Sequence, residues 1–149
     1  MRVAISLGSN LGDRNAHLEY AIDAVQLDLT EIAVSSFLET QPVGVGPEHG
    51  TYLNAAVVGR THLPARVLLD RLHEIEEERG RARPYPMAPR TLDLDLILYG
   101  DATIDEDGFS VPHPRFRERA FVLRPLVEIA PDMIDPVTGL TVVELYATL

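Results

Sequence analysis

The chain has 149 residues, 46% of them apolar, and a formal net charge of −10, which suits one buried core and argues against general binding to nucleic acid or an anionic membrane. It holds no cysteine, and all 13 basic residues are arginine, so disulfides, thiolate chemistry, a Walker-type phosphate lysine and a Schiff-base lysine are all excluded. No apolar run is long enough to cross a bilayer, and MRVAISLG turns polar too soon for a secretory leader, so a single cytoplasmic domain over residues 1–149 is expected.

RVAISLG (2–8) reads as a buried strand ending at Gly8, and SNLGDR as a tight turn with Asn10 or Asp13 capping a helix. Leu18, Ala21, Ile22, Val25 and Leu29 then recur at helical spacing. IAVSSFLE (32–39) is strand-like, TQPVGVGPEHGT (40–51) is a long loop, and YLNAAVVG (52–59) is the next strand. Pro64 suits the first helical position, Leu68, Leu69, Leu72 and Ile75 mark a buried stripe, and Gly80 is placed to end that helix.

RARPYPMAPR (81–90), with three prolines, cannot be regular structure. In RTLDLDLILYG (90–100) Leu92, Leu94 and Leu96 fall on one strand face and Asp93 and Asp95 on the other. Ile97, Leu98 and Tyr99 are apolar on both faces, which predicts a central strand. DEDG (105–108) reads as a hairpin turn, short helical pieces broken by prolines follow, and Thr141 with Glu144 has capping-box spacing. The order β-α-β-β-α-β predicts an α+β protein: a ferredoxin-like core, mostly antiparallel, with a C-terminal hairpin and short helices.

Two carboxylates at i and i+2 on one strand face can converge on a divalent cation, and magnesium takes one or two such ligands beside phosphate oxygens. Charged residues guarding a sheet edge would give the same pattern. Eight arginines lie between positions 79 and 124 (Arg79, Arg81, Arg83, Arg90, Arg115, Arg117, Arg119 and Arg124), a clustering that suggests a small anionic ligand or a solvated basic surface. Arg83 and Arg90 have no helix end to serve, whereas Arg81 could face a helix C-terminus. His113, between two prolines and near three arginines, suits a phosphate contact better than a general base. Tyr52 and Asn54 offer an aromatic plane and an amide that could read a heterocycle's edge, or they are simply a strand pair.

Taken together, SLGSNLGDR, TQPVG, YLNAAV, IEEERGRAR, APRTLDLDLILYG and VPHPRFRERAFVLRPLVEIAPD closely resemble the 6-hydroxymethyl-7,8-dihydropterin pyrophosphokinase family of folate biosynthesis, in the family's order and over almost the whole chain. The resemblance implies transfer of pyrophosphate from ATP to the pterin hydroxymethyl group with release of AMP, using two magnesium ions. It assigns Asp93 and Asp95 to metal, and Arg81, Arg90 and Asp95 to catalysis. ATP would be bound by Glu76, Arg81, Arg83, Arg90, Ser110 and His113. The pterin would be bound by Thr40, Pro42, Val43, Tyr52, Asn54, Arg119 and Phe121.

ATP and a hydroxymethyl-dihydropterin are thus the expected small-molecule partners, with no nucleic acid, no membrane and a monomeric state. One stretch departs from the family: where many relatives carry RWGPR, this chain has PMAPR, so Pro86 and Met87 stand in place of Arg and Trp. The rival reading is another two-metal enzyme on a similar sheet, such as a nucleotidyl transferase, for which a pterin pocket would be superfluous.

Overall fold

Strand β1 (Arg2–Ser9) is buried from Val3 to Ser9, with Val3, Ile5 and Leu7 packed beneath helices on one side of the sheet and Ala4 on the other. The structure is a computed structural model and describes residues 1–41, 50–80 and 91–149. Helix α1 (Arg14–Gln26) follows β1, opened by the Asp13 carboxylate, which accepts from the Ala16 N–H at 3.1 Å. β2 (Thr30–Val34) and β3 (Leu38–Thr40) come next, then β4 (Tyr52–Arg60) and helix α2 (Ala65–Glu78). Pro64 is the residue just before α2 rather than its first, and Gly80, at φ +77°, follows the helix end. β5 (Asp93–Tyr99), the hairpin β6 (Ile104–Glu106) and β7 (Phe109–Val111), α3 (Ala120–Ile129) and α4 (Val142–Ala147) complete the described residues.

The main sheet has the order β2-β4-β1-β5, and every pairing in it is antiparallel. β3 also pairs with β4, beyond the end of β2. The expected continuous strand over 32–39 is therefore two strands. Ser35 divides them: its N–H donates to the Ala56 carbonyl, while its hydroxyl accepts from the Ala56 N–H at 2.8 Å in place of a backbone carbonyl. Its neighbour Ser36 is held from α3, whose Glu128 accepts from the Ser36 N–H and hydroxyl.

Among the described residues strand β5 lies at the end of the sheet order, not at its centre as expected. It is apolar on both sides because both sheet faces are covered, and its outer edge is partly paired by other means. The Leu94 N–H donates to the Glu76 carboxylate of α2 at 2.8 Å, and the Ile97 carbonyl accepts from the His113 N–H at 3.1 Å. These contacts blunt the open edge that a terminal strand would otherwise present.

The two faces carry separate cores. On one, Val3, Ile5, Leu7, Leu92, Leu94 and Leu96 pack against Leu18, Ala21 and Val25 of α1 and Leu68, Leu72 and Ile75 of α2. On the other, Ala4, Ala56, Val58, Ile97 and Leu98 pack against Phe116, against Val122, Leu123 and Leu126 of α3, and against Val142 and Leu145 of α4. Burying each large side chain stabilises the fold by about 1.5–3 kcal/mol. A bulge between Ala4 and Ile5 leaves Ile97 as an extra residue in β5, so Ile97 and Leu98 both join the α3-side core. The Thr141–Glu144 capping box is present at the start of α4. Among the described residues no helix is long and apolar enough to cross a membrane.

Candidate active site

Pairing register decides what gathers at the site end of the α3 side. Gly8 of β1 stands opposite Asn54 of β4 on one flank and Asp93 of β5 on the other. One step along, Ser6 lies opposite Ala56 and Asp95. Residues two apart on a strand share a face, so Tyr52 and Asn54, Gly8 and Ser6, and Asp93 and Asp95 form three adjacent columns. Strand spacing puts the carboxylate column about 10 Å from the Tyr52–Asn54 column. Thr40 adds a fourth column, opposite Tyr52 on β3.

Asn54 is 3% exposed, and its amide is committed by hydrogen bonds. Nδ2 donates to the Thr40 hydroxyl at 2.6 Å and to the Leu38 carbonyl at 3.3 Å. Both amide protons are thereby used, and Oδ1 is the group turned toward Gly8. A methyl group built on Gly8 would lie 3.4 Å from Asn54 Oδ1 and 3.6 Å from the Tyr52 ring. The absent side chain leaves a cradle between amide, ring and carboxylates. In sequence Gly8 reads only as the end of a strand before the SNLGDR turn, and it is the candidate site residue that this reading misses. The available signal is a glycine inside a strand, which often marks a close approach of ligand or backbone.

Asp93 and Asp95 are half-buried at the site end of β5, with Leu92 and Leu94 anchoring the strand from its other face. Among the described residues no group of three or more His, Cys, Asp or Glu could hold a metal ion. A pair of half-buried carboxylates fits a hard cation that completes its shell with water and phosphate, and does not fit a closed structural site. Two hydroxyls beside the site, Ser9 Oγ and Thr91 Oγ1, are buried and have no hydrogen-bond partner among the described residues. They lie at the ends of the two strands that carry Gly8 and Asp93.

His113 follows β7, and its backbone is tied to β5 through Ile97. Its Nδ1 accepts from the Arg115 N–H at 3.2 Å, leaving Nε2 as the protonated nitrogen of the neutral ring. Burial chiefly, then the charges of Arg119 and Arg115, hold its pKa below the ordinary value, and Asp93 opposes them without prevailing. The Arg119 guanidinium sits 5.5 Å from the centre of the Phe121 ring, at the start of α3. Phe121 in turn packs against the α3-side core.

Asp93, Asp95, Asn54, Tyr52, Thr40, His113, Arg119 and Phe121 thus come to one side of the molecule. Glu76 and Ser110 do not join that sheet face. Glu76, 3% exposed on α2, approaches β5 from the outer edge and accepts the N–H that lies between the two aspartates. Ser110 is on the hairpin, where its hydroxyl donates to Asp105 at 3.4 Å and lines a cavity of about 330 Å³ with Ile104, Pro112 and Val137. Arg81, Arg83, Arg90, Pro42 and Val43, together with Pro86 and Met87, lie outside the described residues.

Two members of the arginine cluster serve the fold. Arg117 makes a two-pronged ion pair with the fully buried Asp135, at 2.5 and 2.9 Å. Burial alone would raise the Asp135 pKa, but hydrogen bonds from Arg117, Thr138 and the Val137 N–H outweigh it and hold the carboxyl below its usual value. Arg79 donates to His17 Nδ1 at 3.0 Å and stacks 4.6 Å from the centre of the Tyr20 ring.

The fold and this face define a mixed α/β protein with an antiparallel sheet that carries a polar, partly acidic patch at one end of one face. Residues 4–131 match the model of one family, 7,8-dihydro-6-hydroxymethylpterin-pyrophosphokinase (HPPK). The chain is 43% identical over 127 residues to the 2-amino-4-hydroxy-6-hydroxymethyldihydropteridine pyrophosphokinase of Bacillus subtilis, covering 84% of this chain and 75% of that protein. It is 39% identical to the protein of that name from Methylorubrum extorquens, over 99% of this chain and 93% of the relative.

The folic acid synthesis protein fol1 of Pneumocystis carinii is 38% identical over 97% of this chain, which spans only 20% of that longer protein. Among solved structures, the wild-type HPPK-DHPS of Plasmodium falciparum with SDX-DHP superposes with a TM-score of 0.79 at 16% identity. That match covers 99% of this chain and 44% of the solved one, and it speaks for the fold. The chain belongs to the 7,8-dihydro-6-hydroxymethylpterin-pyrophosphokinase family of pyrophosphokinases.

Proposed function

We propose that the protein transfers pyrophosphate from ATP to the hydroxymethyl group of 6-hydroxymethyl-7,8-dihydropterin in folate biosynthesis. The hydroxymethyl oxygen forms a bond to the β-phosphorus, the bond from that phosphorus to the α–β bridging oxygen breaks, and AMP leaves. The hydroxyl proton is lost to solvent. The observation that carries this reading is the register that sets Asp93 and Asp95, Gly8, and Tyr52 with Asn54 in adjacent columns on one face.

In this reading Asp93 and Asp95 hold two magnesium ions, which when bound polarise the phosphate oxygens and offset their charge. The chain's own residues mainly position the reactants, as phosphoryl transfer requires. Tyr52 and Phe121 stack on the pterin, and Asn54 Oδ1 accepts from a donor on its edge. Thr40 fixes the Asn54 amide, and Pro42 and Val43 contribute to binding the same substrate. Arg119 closes on the pterin side. Neutral His113 donates from Nε2 to an ATP phosphate oxygen. Arg81, Arg83 and Arg90 bind the phosphates, with Arg81 and Arg90 offsetting charge as the bond breaks. Glu76 and Ser110 serve the nucleotide, and Glu76 also braces β5 between the two aspartates.

A nucleotidyl transferase on a similar sheet would have no use for the Tyr52–Asn54 column. We further infer a single monomeric, cytoplasmic domain over 1–149 with a ferredoxin-like core. Support for that core comes from the order β2-β4-β1-β5, with α1 and α2 on one face. Incubation with Mg-ATP and the hydroxymethyl-dihydropterin should give AMP and a pterin pyrophosphate in equal amounts. Absence of both products would sink the assignment.

A further inference from the structure

Arg14, the first residue of α1, reaches two residues that flank the 40–50 stretch. Its Nη1 donates to the Thr51 carbonyl at 3.0 Å and to the Thr51 hydroxyl at 2.7 Å, and its Nη2 donates to Glu39 Oε1 at 3.0 Å. The junction is closed by the Thr51 hydroxyl, which donates to the same Glu39 oxygen at 2.6 Å. Hydrogen bonds from Thr51 first, then Arg14, hold the Glu39 carboxyl below its usual pKa, so it is ionised at neutral pH.

Each clamped residue is the chain neighbour of a pocket residue: Glu39 precedes Thr40, and Thr51 precedes Tyr52. Alternation turns Glu39 and Thr51 away from the face that bears Thr40, Tyr52 and Asn54. Leu53, opposite Glu39, accordingly packs against the α1/α2 core. β3 has three residues and, among the described residues, pairs only with β4. Yet Thr40 of β3 accepts the amide proton that orients Asn54.

We propose that Arg14 is a positioning residue for the pterin pocket: it clamps Glu39 and Thr51 from the back of the sheet and so sets Thr40, Tyr52 and, through Thr40, the Asn54 amide. This rests on the pterin reading above. Arg14 is 29% exposed and Glu39 57%, so the ion pair is partly solvated and contributes only modestly to global stability. Its effect is on geometry, and it acts on one substrate only.

The test measures binding of a hydroxymethyl-pterin by its own fluorescence and, separately, binding of a non-hydrolysable ATP analogue with magnesium, on the full chain. In Arg14→Ala, pterin affinity should fall about tenfold, the scale on which small misplacements act, with ATP-analogue affinity and melting temperature nearly unchanged. Arg14→Lys keeps the charge without the fork and should behave like Arg14→Ala. Arg14→Ala combined with Glu39→Ala should cost less than the sum of the two single losses. Unchanged pterin affinity, equal weakening of both ligands, rescue by lysine, or additive losses in the double variant would each overturn the clamp. If the wild-type chain binds the ATP analogue but no pterin, the pterin reading falls and takes the clamp with it.

Discussion

The two ends of the α3-side sheet face are built from the same strands and do opposite things. At one end Ala4, Ala56, Val58, Ile97 and Leu98 are sealed beneath α3 and α4. At the other, Gly8, Tyr52, Asn54, Asp93 and Asp95 occupy the next positions along those strands. Only a few residues of each strand separate dry core from polar face. The sealed end gives the open end its rigidity: a carboxylate pair is held still because the residues next to it in the chain are packed.

That contrast can be broken from either side. The largest expected effect is at the open end. Asp95→Ala should lower turnover about 10³-fold or more while the melting temperature moves little, since the side chain is half-buried and holds no core together. A substantially active variant would remove the metal role. At the sealed end Leu123→Ala empties a fully buried site on α3 and should cost about 2–5 kcal/mol of stability in denaturant titration. Activity of the molecules that remain folded should be nearly normal. A selective loss of turnover there would mean the two ends are not separable.

Glu76→Gln tests the brace between them. The amide keeps an acceptor for the Leu94 N–H but loses the charge, so about 1–3 kcal/mol should be lost, read by chemical denaturation. The smallest effect is the titration of His113. Its folded pKa lies below the unfolded value near 6.5, so its burial as a neutral ring is fully tolerated above that value. As pH falls through the unfolded and then the folded pKa, stability declines, because only the unfolded chain takes the proton readily. Stability followed from pH 7 to pH 5 should therefore fall less in His113→Gln than in the native chain, and parallel curves would refute it.

Local chemistry made much of this molecule legible in its sequence. The Leu92–Leu94–Leu96 and Asp93–Asp95 alternation places each side chain on the face observed, and the Asp13 cap, the Gly80 stop and the Thr141–Glu144 box lie where the residues suggest. The misses share a cause in long-range packing. β5 reads as central because apolar residues on two faces say only that both faces are covered, not how many strands lie alongside. Ser35 splits a strand through a bond to Ala56, and Arg117 spends its charge on Asp135 eighteen positions away. Neither partner is visible from spacing. Gly8 reads as no more than a strand end because its importance lies in what stands on either side of it. The motifs that carry the family resemblance located the candidate site, and register shows which of its residues share a face.

The extra residue at Ile97 has a consequence for how this strand can change over time. Upstream of it, odd-numbered positions point toward the pocket side; beyond Leu98 the phase is reversed, and Tyr99 joins the opposite core. The strand therefore has a joint that can absorb a difference of one residue between its chemical half and its structural half. An insertion or deletion there would leave Asp93 and Asp95 aimed as they are, whereas the same change between Leu92 and Leu96 would exchange carboxylate for leucine at the pocket. Length variation in the family should be tolerated on the far side of that joint and rejected on the near side.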